Sequence, residues 1–235
     1  MTKIKGIYDS YWQNRLTSVN NDPIDDHSPN EIFETIASLM KTGWKLLDVG
    51  CGEGKIAEIA RTKFDEIYGC DISKTALLKA KDRGISTVCV DLNDGLVPYK
   101  DNSFDCITAL EVAEHLVDPL RFFNDLRRIL KPKGQLLLTT PNIRYLRNLY
   151  RLIFKGIFPH TTTDDFIWGG GHIHYFTRKD ITYLLNEAGF KKTSFHINGN
   201  QFPRSWKRRI IRMLVGPSCF SEFFCGGICV EVIKE

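Results

Sequence analysis

The chain has 235 residues, 43% of them apolar and 26% charged, with a formal net charge of +4. That length suits one well-buried α/β domain with room for an added subdomain, and the composition is that of an ordinary globular protein. The small positive charge gives no indication of a nucleic-acid ligand, and no apolar run is long enough to span a bilayer. Met1-Thr2-Lys3-Ile4-Lys5 leads into no signal-peptide core. The seven cysteines are scattered, with Cys51, Cys70, Cys89 and Cys106 in or beside apparent strands. This is reduced usage, so a cytoplasmic protein is expected. Cys219, Cys225 and Cys229 lack paired C-x-x-C spacing, so no zinc site is expected there.

In chain order, residues 7–16 carry Tyr8, Tyr11 and Trp12 in a polar setting. They read either as a short helix over a ligand mouth or as a helix packed on the domain. Residues 20–28 read as loop. Ser28-Pro29 starts a helix, with Glu31 completing a capping box. Ile32, Phe33, Ile36, Leu39 and Met40 form its apolar face, and Gly43 is expected to stop it. Leu46, Leu47 and Val49 read as the end of a buried parallel strand. Gly50, Gly52 and Gly54 follow at alternate positions, and a helix over 55–63 turns Ile56, Ile59 and Ala60 inward.

Glycines after a strand allow unusual dihedrals and close approach of a ligand to the backbone, and the next helix start adds unpaired N–H groups. A dinucleotide fingerprint would place its third glycine at position 55, which is Lys55. Asp48, just before the glycines, is awkward for a pyrophosphate and suits a ligand with positive charge. S-adenosylmethionine (SAM), with its ammonium and sulfonium, is such a ligand. A plain Rossmann turn whose glycines serve only packing is the alternative.

The pattern then repeats. A second strand over 66–71 ends at Asp71, 17 positions beyond Gly54, near the distance at which an acid reaches ribose hydroxyls. Ser73 can cap a helix whose Ala76, Leu77 and Ala80 face inward and which ends near Gly84. A third strand over 85–90 leads to Asp91-Leu92, where Asp91 either accepts from an adenine amino group or initiates a turn. A fourth strand spans 103–110 and is followed by Glu111-Val-Ala-Glu-His115. Asp118-Pro119 starts a helix with Leu120, Phe123, Leu126 and Leu130 on its face. Residues 131–134 read as a turn, and a fifth strand over 135–140 breaks at Pro141-Asn142.

Leu47-Asp-Val-Gly-Cys-Gly-Glu-Gly54, Gly69-Cys-Asp71, Asp91, Phe104 through His115 and Leu130 through Leu138 occur in the order and spacing of one family. The chain resembles the class I SAM-dependent methyltransferases of small-molecule type. It is similar to ubiquinone-biosynthesis O-methyltransferases and, more loosely over 141–178, to MetW-like proteins. The resemblance implies a Rossmann-like seven-stranded sheet with the last strand antiparallel and helices on both faces. It implies one domain over 1–235, with a substrate cap from 143–175 and 200–226. It assigns the methionine end of SAM to Asp48, Gly50, Cys51 and Gly52, and the ribose to Asp71 with Ile72 beside it. Adenine goes to Asp91 and Leu92, while Leu110 and Glu111 lie beside the methyl donor.

Methyl transfer is an in-line displacement, so positioning does most of the work, and an oxygen acceptor also needs a base. His115, His172 and His174 are the candidates. His172 and His174 alternate on a strand-like stretch, which puts them on one face. The reading assigns no metal. Glu111-x-x-Glu114-His115 nevertheless resembles the E-x-x-E-H metal site of some O-methyltransferases and of RNA 2′-O-methyltransferases, where a later histidine, here His172, joins. The expected acceptor is a small or lipid-linked molecule. An RNA 2′-O-methyltransferase and a non-catalytic partner module are the alternatives. Two basic-aromatic stretches, near 144–155 and 203–215, read first as helices that bury one face and solvate the other, with weak contact with membrane surfaces as the alternative. The sequence leaves the oligomeric state open.

Overall fold

The computed structural model describes residues 6, 8–13, 29–159, 171–196 and 206–235. A helical turn, α1, covers residues 8–13. Eight more helices follow: α2 Pro29–Leu39, α3 Lys55–Ala60, α4 Lys74–Asp82, α5 Pro119–Ile129, α6 Leu146–Lys155, α7 Arg178–Glu187, α8 Trp206–Val215 and α9 Pro217–Phe224. The strands are β1 Gly43–Val49, β2 Phe64–Asp71, β3 Ser86–Cys89, β4 Phe104–Leu110, β5 Leu130–Pro141, β6 Thr193–His196 and β7 Gly227–Ile233. They form one seven-stranded sheet in the order β3-β2-β1-β4-β5-β7-β6. The first five are parallel, and β7 runs antiparallel to both β5 and β6.

The apolar runs of the central strands follow from burial on both faces. Leu46 joins Ile36, Ile56 and Leu137 on one side, and its neighbour Leu47 joins Phe123, Leu126 and Leu136 on the other. The strand order reverses between β1 and β4, so the crevice outside their carboxyl ends lies at a topological switch point, where such sheets bind ligands. All the strand-end acids lie along this edge.

Some local expectations change. Gly43 begins β1 rather than ending α2, which stops at Leu39. Its N–H bonds the Lys63 carbonyl, and a Cβ there would lie 2.8 Å from that of Asp105. In α3, Ile56, Ala57 and Ala60 are buried and Ile59 is exposed, because the helix is only six residues long and turns a narrower face inward. Residues 131–134 belong to β5, whose pairing with β4 shifts register between Phe104 and Cys106. Ser73, Asp118 and Thr177 cap their helices, Thr177 in a full capping box with Asp180. Ser28 and residues 14–16 lie outside the described residues.

Candidate active site

The turn after β1 is built by backbone. The N–H groups of Gly50 and Cys51 both bond the Cys70 carbonyl at the end of β2, at 2.8 and 3.0 Å. Gly50, Gly52 and Gly54 have φ of 70°, 49° and 79°, a left-handed region that side chains disfavour. A Cβ on Gly52 would lie 2.8 Å from the Trp12 ring, so α1 lies over the turn. Cys51 is buried, and burial pushes its thiol up, which makes it packing rather than a nucleophile.

The strand-end acids differ in environment. Asp48 is buried and accepts a hydrogen bond from Thr108 Oγ1 at 2.7 Å. Burial raises its pKa to about 7, opposed by the Thr108 bond and increased by the nearby Asp71 charge. Asp71 accepts from the Gly52 N–H at 2.9 Å through Oδ2 and from the Ser73 N–H at 2.8 Å through Oδ1. Burial raises its pKa and these N–H bonds oppose the rise. Each oxygen keeps a second lone pair, so two hydroxyls can still be accepted. The Ile72 carbonyl takes the Cys89 thiol at 3.5 Å. Asp91 Oδ1 accepts from the Asn93 N–H at 3.0 Å, a turn bond of the kind the sequence left as the alternative. The Leu92 carbonyl is held by Arg121 Nη2 at 2.7 Å. Leu110 is half-buried at the end of β4. Glu111 follows it at φ 56°, exposed, with its N–H on the Thr139 carbonyl at 3.0 Å. A left-handed non-glycine residue costs roughly 1–2 kcal/mol, and such strain concentrates at functional sites.

Beyond β4 the chain makes one turn of 3-10 helix, Ala113–His115, rather than an α-helix. Glu114 is 0% exposed; Oε2 accepts from Thr140 Oγ1 at 3.0 Å, and Oε1 is buried without a hydrogen-bond partner. Burial, then the Glu111 charge, holds the Glu114 carboxyl well above the usual carboxylate range. The Glu114 carbonyl accepts from the N–H groups of Ile173 and His174, at 2.9 and 3.1 Å. This pins the segment after Gly171 against the 3-10 turn.

As a result His115 and His172 meet, their rings 4.6 Å apart at 73°. His115 Nδ1 lies 3.1 Å from the Gly171 carbonyl. A carbonyl only accepts, so Nδ1 carries the proton and Nε2 is the basic nitrogen. Burial lowers the pKa of His115, and burial with the neighbouring His115 charge brings His172 to about 4. His174 stacks on Phe176 at 5.6 Å, with Nε2 buried and unpartnered. Residues 172–175 do not form a strand.

One ligand atom each from Glu114, His115 and His172 lie within 4.8 Å of one another. The sequence reading assigned no metal, and the three side chains are a donor set that suits a divalent cation. The Glu114 carboxyl also shares a hydrogen bond with Glu111. Glu111 is outside this group of ligand atoms.

Several site residues have no motif. Asp9 Oδ1 accepts from Ser73 Oγ at 2.6 Å and from the Thr75 N–H at 3.3 Å, which fastens α1 to the start of α4. Tyr8 Oη lies 3.4 Å from His115 Nδ1. Its pKa rises to about 12 through burial, then the charges of Asp71, Glu114 and Asp91. Tyr8 therefore sits between the strand-end acids and the histidine pair. The aromatic cluster in a polar stretch was the available signal for Tyr8 and Trp12. Asp9, Thr108 and Thr140 gave none.

A Rossmann-like sheet with an antiparallel last strand, a G-x-G-x-G turn after β1 and an acid ending β2 defines a class I SAM-dependent methyltransferase. Residues 24–194 match the family described as "Methyltransferase domain", and the chain belongs to it. SAM is the cofactor of this class. Methyltransferase GfsG of Streptomyces halstedii is 38% identical over 104 residues, 41% of this chain and 37% of that protein. The ubiquinone biosynthesis O-methyltransferase of Xanthomonas oryzae pv. oryzae is 31% identical over 125 residues, 51% of this chain and 52% of that protein. The matches thus cover about half or less of these curated relatives. The methyltransferase solved in complex with the Trm112 activator of Haloferax volcanii has the same fold. Its TM-score is 0.65 at 16% identity, covering 99% of this chain and 97% of that one.

Proposed function

We propose that this protein transfers the SAM methyl group to an oxygen of a small-molecule or lipid-linked acceptor. The observation that carries the reading is the His115–His172 ring contact, with Tyr8 against His115 and burial lowering the pKa of both histidines. Asp48 and the Gly50–Gly52 turn hold the methionine end, Asp71 with Ile72 the ribose, and Asp91 with Leu92 the adenine. Leu110 and the strained Glu111 border the transferring methyl. His115 Nε2 or His172 takes the acceptor proton as the oxygen attacks, since burial favours the unprotonated form that can accept it. His174 is a positioning residue in this scheme, fixed against Phe176. A partial match to an O-methyltransferase supports oxygen as the acceptor atom. The described parts of the expected cap, residues 143–159, 171–175 and 206–226, cover the acceptor in this scheme, and residues 160–170 and 200–205 lie outside the described residues. The test is SAM consumption against phenolic quinone precursors, sugar nucleotides and lipid-linked glycans. Turnover only with nitrogen or carbon acceptors would overturn the oxygen assignment.

The Glu114–His115–His172 group supports a second reading, in which these side chains hold a divalent cation. When bound, such an ion lowers the pKa of a coordinated hydroxyl. The imidazoles would then be ligands rather than bases. Turnover abolished by EDTA and restored by Mg²⁺ or Mn²⁺ selects this reading, and turnover indifferent to EDTA selects the histidine base.

A further inference from the structure

Two helices on the sheet's carboxyl edge bury almost nothing. In α6 no residue is fully buried. Leu146, Tyr150, Ile153, Phe154 and Ile157 recur at helical spacing along one exposed stripe, with Phe154 72% exposed. Arg147, Arg151 and Lys155 run beside it at i, i+4 and i+8. In α8 the pattern recurs. Trp206, Ile210, Met213 and Leu214 are exposed, Met213 to 87%, and Lys207, Arg208, Arg209 and Arg212 interleave them in the sequence. Neither helix contains an acidic residue.

Both helices are fastened to α9. Asn142, at the end of β5, donates to the Glu222 and Cys225 carbonyls at 2.8 Å each, and Arg144 pairs with Glu222 and lies over the Phe223 ring. α8 runs through Gly216 directly into α9 and packs on it. The bridge between Asn142 and Phe176 places this anchor next to the segment carrying His172. The stretch leading into α6 and the α8–α9 pair therefore share an anchor beside the segment that carries His172.

We propose that α6 and α8 form a docking surface for an anionic phospholipid bilayer, with the mouth of the site at the lipid–water interface. An amphipathic helix with a basic flank lies in an interface with its apolar stripe among the acyl chains and its cations among the headgroups. Trp206 has the chemistry of an interfacial anchor. Charge selects this occupant over a second copy, since pairing two such faces would set arginines against arginines. Among the described residues no helix is long and apolar enough to cross a membrane, so the contact is peripheral.

Docking does not require SAM, so its failure leaves the proposed chemistry standing. The test is co-sedimentation with vesicles of phosphatidylglycerol and phosphatidylcholine, and of phosphatidylcholine alone, at low and physiological salt. Wild type, an Arg147→Gln/Arg151→Gln/Lys155→Gln variant and a Phe154→Ser/Met213→Ser variant are compared, with SAM titration as the folding control. Wild type pellets with the anionic vesicles at low salt and less so with the neutral ones. Each lost charge weakens binding about fivefold, so the triple variant loses about a hundredfold. The double variant also loses binding to anionic vesicles. Equal sedimentation of wild type and both variants overturns the proposal, as does wild type left in the supernatant at low salt. A dimer by size exclusion that Phe154→Ser/Met213→Ser abolishes assigns the face to a second copy instead.

Discussion

The carboxyl edge of the sheet carries two unlike regions. Around the glycine turn the side chains and backbone are interlocked. Asp48 is bonded to Thr108, Asp71 to two backbone N–H groups, and a Cβ on Gly50, Gly52 or Gly54 would meet a neighbour within 3.0 Å. On α6 and α8 Leu146, Tyr150, Ile153, Phe154, Trp206, Ile210, Met213 and Leu214 are exposed, and Cβ atoms on Gly156 and Gly216, which follow these helices, would meet nothing within 4 Å. The difference teaches where tolerance lies. The turn region is fixed by contacts within the chain, whereas α6 buries no residue and exposes its apolar stripe. Substitutions in the first region should cost stability and cofactor affinity. Those in the second should cost neither.

The largest effect is expected for Gly54→Ala. Its φ of 79° and an Ile85 Cδ1 atom 2.2 Å from the new Cβ combine backbone strain with overpacking between α3 and α4. A loss of about 2–4 kcal/mol is expected from these two effects. Chemical denaturation checks it, and unchanged stability would show that the turn is as permissive as the cap.

Next is Asp71→Ala. On the proposed assignment of the ribose to Asp71, the lost carboxylate removes charged hydrogen bonds of about 1.5–3 kcal/mol each, so SAM affinity is expected to fall tenfold or more. Calorimetry giving the wild-type affinity would remove the ribose assignment.

Asp48 gives a smaller, pH-dependent effect. Its native pKa of about 7 is raised above its ordinary carboxylate value by burial. Between the two values the folded state binds more protons than the unfolded state, so stability without ligand falls as pH rises through that window and levels off above it. A cationic ligand needs the ionised form, so SAM affinity should fall below pH 7 by up to about tenfold per unit. Asp48→Asn keeps an acceptor for Thr108. It should flatten both profiles, stabilise the free protein above pH 7 and weaken SAM. Parallel pH profiles for wild type and variant would show that Asp48 does not sense the ligand.

The smallest effect belongs to Phe154→Ser. At an exposed cap position, stability should change by no more than about 0.5 kcal/mol and SAM affinity not at all. A larger loss in thermal unfolding would mean that α6 packs on this chain after all, and the contrast between the regions would narrow.

Much of the first region was legible in the sequence because its physics is local. A strand's apolar run, glycines that tolerate positive φ, and caps such as Ser73 and Asp118 act within a few residues of one another. The seven strands and the antiparallel last one followed from the family resemblance, and the strand-end acids from their place after each apolar run. What the tertiary structure decided is what distant segments do to each other. Tyr8 meets His115 across 107 positions, and Asp9 reaches Ser73 across 64. The Glu114 carbonyl holds the segment after Gly171 against the 3-10 turn, where His172 meets His115, and His174 stacks on Phe176. The basic-aromatic spacing of α6 and α8 was likewise plain in the sequence. Whether their apolar stripes were buried or exposed was not, because a hydrophobic period shows that a face will be covered and not by what.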